Sequence, residues 1–97
     1  MKILAISIDL PGASEDAFTA ALLKEEARRV YELLQMGIIR DIYFSKEQGE
    51  AVIVLECNSL DEARHALDSL PLVREKLIDF DLRVLTPYTG FARLFAD

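Results

Sequence analysis

In the stretch EAVIVLEC, residues 50–57, the apolar residues Ala51 to Leu55 follow one another without a polar break. Successive side chains of a strand point to opposite faces, so a sheet with one wet face alternates apolar and polar residues. This run does not alternate, and neither does LAI in KILAISID, residues 2–9. Such strands need cover on both faces. In a chain of 97 residues, 52% hydrophobic and 29% charged, the helices available to provide it are few. Small domains bury a modest fraction of their surface and often gain stability from a partner.

The remaining elements fix how much cover there is. Pro11 and Gly12 end the first strand. Ser14 has the chemistry of a helix N-cap, with Glu15 and Asp16 suiting the positive end of a helix dipole. The spacing predicts a helix from there to about Met36, capped by Gly37. A strand IIRDIYFSK (38–46), a hairpin turn EQG (47–49) and the strand 50–57 follow. Ser59 and Glu62 form a capping box opening a short helix, with Leu60, Ala63, Leu67 and Leu70 as its buried stripe and Pro71 as its stop. A last strand lies within residues 76–87, followed by the tail YTGFARLFAD (88–97). The order β-α-β-β-α-β is that of an α+β, ferredoxin-like domain over residues 1–87, an antiparallel sheet with two helices on one face. Two helices cover one face only. A second sheet packed on the other would make a homodimer or higher homo-oligomer, and the aromatic tail is expected to dock on a neighbouring subunit.

Charge and composition exclude several functions. A net charge of −6 opposes binding to nucleic acid or to an anionic membrane. No apolar run reaches the roughly 18 residues a membrane span requires. Cys57 is the single cysteine, which rules out an internal disulfide and suits a cytoplasmic setting. One His and one Cys give no metal-ligand spacing, so no metal is expected.

The first helix contains the main chemical lead. Phe18, Leu22, Leu23, Val30, Leu33 and Leu34 form one apolar arc on a helical wheel, and Glu26 falls near its middle. A carboxylate there would leave water, which raises its pKa toward values useful to a general base. A structural role is also open: pairing with an Arg or capping a backbone group. Arg40 shares a strand register with Ile38, Ile42 and Phe44; its charge there would pair with Glu26 or with a ligand carboxylate, or it is a strand-edge Arg reaching solvent. Tyr43 points to the opposite face and could donate to an enolate oxygen or pack across strands. Arg83 interrupts the apolar residues of FDLRVL, as a ligand contact or as a salt bridge to Asp41, Glu56 or Asp81. His65 reads as an exposed surface residue, and Cys57 as an inert packing residue.

From Leu22 to Pro87 the chain resembles the muconolactone isomerase-like group of the dimeric α/β barrel superfamily. The residues concerned are ELLQMG, IIRDIYF, AVIVLECNS, LDEARHALDSLPL and the closing TP. The resemblance implies two ferredoxin-like subunits packed sheet to sheet. It also implies isomerisation of a small lactone or carbonyl compound by proton transfer, without cofactor or metal, with Glu26 and Tyr43 as catalytic and Arg40 and Arg83 as substrate-binding candidates. Two departures accompany it: the chain has no Trp, and KLIDF after SLPL makes a longer segment than the family's. The alternative is a non-catalytic small-molecule-binding or structural oligomer.

Overall fold

Lys2–Asp9 forms β1 as its composition predicts, and the odd-numbered Ile3 and Ala5 are fully buried. The computed structural model describes residues 1–96; Asp97, the last residue of the expected tail, lies outside them. The first helix begins later than expected. Ser14 heads only a single 3₁₀ turn, Glu15–Ala17, and makes no side-chain cap bond. Helix α1, Ala20–Gln35, is capped instead by Thr19, whose hydroxyl accepts from Leu22 N–H at 3.2 Å. Gly37 does close the helix, with φ +78°. Its N–H donates to Leu34 O and that of Ile38 to Leu33 O, the paired bonds of a left-handed cap.

Strands β2, Ile39–Phe44, and β3, Ala51–Glu56, flank the turn, where Glu50 N–H donates to Ser45 Oγ. Helix α2, Leu60–Asp68, carries the expected cap at Ser59, which accepts from Glu62 N–H at 3.1 Å. The return bond reaches one residue further back, to Asn58 N–H. The buried stripe is Ala63, Ala66, Leu67 and Leu70, with Leu60 exposed. Pro71 does not merely stop a helix. It is the first residue of a further turn, α3 (Pro71–Arg74), where its missing N–H costs nothing. Lys76, at φ +61°, caps that turn as a glycine would. Strand β4 is Ile78–Leu85.

All strand pairs are antiparallel in the order β2-β3-β1-β4, the expected ferredoxin-like topology. The core lies on one face of the sheet. Ile3, Ala5, Ile53 and Leu55 meet Leu33 of α1 and Ala63 and Leu67 of α2 there. Each fully buried Leu or Ile stabilises the fold by about 1.5–3 kcal/mol. The opposite face carries Leu4, Ile6, Val52 and Val54, half-buried, and Ile8, exposed, with no helix of the described residues packed over them. The tail leaves from the end of β4 that pairs with Lys2 and forms a 3₁₀ segment, Gly90–Phe95. Tyr88 packs edge-on against Phe91 at 4.8 Å, and a Cβ at Gly90 would run into the Tyr88 ring. Tyr88, Phe91, Leu94 and Phe95 are all exposed.

Candidate functional site

Two polar residues of α1, one turn apart, grip the SLPL joint between α2 and α3. Glu26 Oε1 accepts from the backbone N–H of Leu72 at 2.9 Å. Arg29 Nε donates to Ser69 Oγ at 2.8 Å, and Ser69 Oγ donates to Ala66 O at 2.6 Å. Leu72 N–H is one of the free donors at the start of α3, and the carboxylate supplies the acceptor it lacks. Arg64 ties α2 to β4 through Asp79 Oδ1, 2.8 Å, and Phe80 O, 3.0 Å. These bonds tie α1 to the α2–α3 joint and α2 to β4, and a space remains between one side of α1 and the sheet.

The space left is a cleft of about 620 Å³. Leu23, Ala27, Tyr31 and Leu34 line it from α1, spaced i, i+4, i+8 and i+11 along one side of the helix. Ile42, Phe44, Ala51 and Ile53 face them from β2 and β3, with Ile78 and Phe80 from β4. The polar groups of the wall are Ser7, Asp9, Glu26, Tyr31 and Tyr43. Ser7 Oγ is engaged with Ala51 N–H at 2.8 Å, where the β1–β3 ladder ends. Glu26 is half-buried in this wall, and its pKa is raised. Burial is the main cause; the Leu72 bond and the charge of Arg74 oppose it.

The other residues singled out in the sequence lie elsewhere. The Ile39–Leu55 and Asp41–Val54 pairs leave Arg40 as the extra residue of a β-bulge. The bulge breaks the alternation that had set Arg40 with Ile42 and Phe44. Arg40 Nε donates to Gly37 O at 2.7 Å, not to Glu26, and its charge acts on Glu56. Tyr43 borders the cleft, but its partner is Val52, so its ring belongs to the outer face with Asp41. Arg83 pairs with Asp81 Oδ2 at 3.2 Å on the exposed outer face of β4, one of the salt bridges its position allowed. His65 is exposed as expected. Cys57 is buried, and burial pushes its thiol pKa up, as suits an inert packing residue. Sequence reasoning missed Tyr31 and Asp9. The Leu23-Ala27-Tyr31-Leu34 stripe lies beside the core stripe, and one helical wheel does not show which of two adjacent stripes meets empty space. Among the described residues no group of three or more His, Cys, Asp or Glu could hold a metal. No helix of the described residues is long and apolar enough to cross a membrane.

Solved structures show what this arrangement is similar to. Muconolactone isomerase superposes with a TM-score of 0.76 at 19% identity, over 93% of each chain. The 5-chloro-2-hydroxyhydroquinone dehydrochlorinase of Burkholderia phenoliruptrix, in complex with 2,5-dihydroxybenzoquinone, gives 0.64 at 15% identity, over 93% of this chain and 98% of that one. A protein of Agrobacterium tumefaciens gives 0.51 at 17% identity, over 92% and 95%. No protein-family model and no curated protein matches the sequence. At these identities the likeness is one of fold: the chain has the ferredoxin-like subunit fold of muconolactone isomerase, which the resemblance of ELLQMG to SLPL implied.

Proposed function

We propose that the chain is a cofactor-independent isomerase that moves a double bond in a small lactone or carbonyl compound by proton transfer. One observation carries the reading: Glu26, a half-buried carboxylate with a raised pKa, stands in the wall of a largely apolar cleft large enough for a ring compound. The Leu72 bond fixes Oε1 and so orients the carboxylate. In the proposed reaction Glu26 takes the proton from the carbon next to the carbonyl. The C–H electron pair enters the conjugated system as an enolate. Protonated Glu26 then returns the proton to the γ carbon and is regenerated as the carboxylate. Tyr31 lines the cleft and is the phenol available to the enolate oxygen; Tyr43 only borders it, with its ring on the outer face. Arg40 and Arg83 have no part in this proposal, because each is already bonded away from the cleft. The proposed enzyme is a cytoplasmic homodimer or multiple of one, with the outer sheet face as its interface and residues 88–97 docked on a neighbouring subunit. The muconolactone isomerase fold supports the reaction class by analogy only.

The Leu72 bond also favours a second reading, in which Glu26 is purely a tie between α1 and α3 and the cleft binds without catalysis. Deuterium exchange next to the carbonyl, followed by NMR with a panel of unsaturated lactones and ketones, separates the two. The expected result is exchange in the wild type and none in Glu26→Gln, with ligand stabilisation retained. A ligand at one hundred times its dissociation constant raises stability by about 2.7 kcal/mol. Equal exchange in the variant would remove Glu26 as the base.

A further inference from the structure

The charged groups lining the cleft all have one sign. Asp9 and Glu26 are carboxylates, and among the described residues no Lys, Arg or His lines the wall. The cation whose charge acts on Glu26 is Arg74, exposed on α3 and outside the lining. Arg29, which lies one turn from Glu26, is held by Ser69 and Glu32. A ligand anion in this cleft would lose its water, gain no counter-charge, and face two like charges in a protein of net charge −6. A hydroxyl or amine on the ligand meets the opposite situation. Asp9 is exposed and unshared by any hydrogen bond or salt bridge among the described residues, and Glu26 commits only Oε1 to Leu72, so carboxylate oxygens remain to accept a proton donor. The remaining wall is aliphatic and aromatic, which rewards an apolar ring system.

We infer that the cleft takes a neutral, largely apolar ring compound carrying a hydroxyl or amine donor, and excludes carboxylates and other anions of the same shape. The inference rests on the cleft being the ligand site, and it narrows the proposed substrates to neutral lactones and carbonyl compounds. A substrate acid would need a cation that the wall does not offer.

Two dyes sharing one skeleton test it. N-phenyl-1-naphthylamine is neutral with an amine donor, and 8-anilino-1-naphthalenesulfonate adds one anionic group. Their dissociation constants are measured by fluorescence titration with the full chain at neutral pH. Ala27→Trp serves as a plug, since Ala27 is an exposed helix residue lining the cleft and its enlargement removes no core packing. The expected result is that the neutral dye binds about tenfold or more tighter than the sulfonate. Ala27→Trp removes its binding, and the pair Asp9→Asn with Glu26→Gln narrows the gap between the dyes. Equal or tighter sulfonate binding, abolished by Ala27→Trp, would overturn the inference and leave the cleft a ligand site. Absence of binding by both dyes, or binding that Ala27→Trp leaves unchanged, would overturn the reading of the cleft as the site and the inference with it.

Discussion

At the residue scale, Glu26 combines two demands. As an acceptor for Leu72 N–H it stabilises the α1–α3 contact; as a half-buried charge it costs desolvation. Gln keeps an acceptor oxygen and removes the charge, whereas Ala leaves the N–H of buried Leu72 without its partner. Glu26→Ala is therefore expected to lower stability by about 1–3 kcal/mol, with Glu26→Gln near or above wild type at neutral pH, both read by urea denaturation. The pH dependence follows from the raised pKa. The folded state holds the Glu26 proton more tightly than the unfolded chain, so this contribution to stability is fully present below the ordinary carboxyl value of 4.5 and is lost as pH rises through the folded-state value. The difference in stability between Glu26→Gln and wild type should grow in favour of Gln over that rise. A constant difference would mean that Glu26 titrates normally. The helical wheel showed that a carboxylate sat in an apolar arc. It did not show that the acceptor role and the cleft role would coincide, because Leu72 is 46 residues away.

Among the elements, the start of α1 separates local chemistry from tertiary placement. Ser14 and Thr19 are both good N-cap residues, and only Thr19 caps the helix. Leu10, Ala13 and Ala17 are tied into turns by Ala13 N–H to Leu10 O and Ala17 N–H to Ser14 O, which delays the helix by five residues. Thr19→Ala is expected to cost about 1 kcal/mol in thermal unfolding and Ser14→Ala close to nothing. The reverse ranking would restore the longer helix. The capping box at Ser59 and the glycine stop at Gly37 were legible because each depends on residues within four positions of itself. The bulge at Arg40 was not, because strict alternation is the default and nothing in IIRDIYF marks where one residue slips. That slip moved Arg40 out of the register it had shared with Ile42 and Phe44, and so away from Glu26; Tyr43 stays on the face opposite those two residues.

For the whole molecule, the radius of gyration is 15.9 Å and the longest dimension 60 Å. A compact chain of this length has a radius of about 12–13 Å. The excess fits a tail that projects from the end of β4 with Tyr88, Phe91, Leu94 and Phe95 all exposed. A neighbouring subunit would cover this apolar arm and the outer face of Leu4, Ile6, Ile8, Val52 and Val54. Light scattering at micromolar concentration is expected to give a dimer or a multiple of it, and deletion of residues 88–97 to lower the mass or the unfolding temperature. A monomeric full-length chain would overturn the assembly, and an unchanged deletion variant the role of the tail. The sequence by itself determined the four strands, the two main helices, their order and the apolar character of both sheet faces, because periodicity and turn chemistry act between near neighbours along the chain. Only the tertiary structure decided that a cleft opens between one side of α1 and the sheet, that Glu26 is anchored by Leu72, and that the cleft wall carries no cation among the described residues. Those outcomes depend on contacts between residues far apart in sequence, which local pattern does not encode.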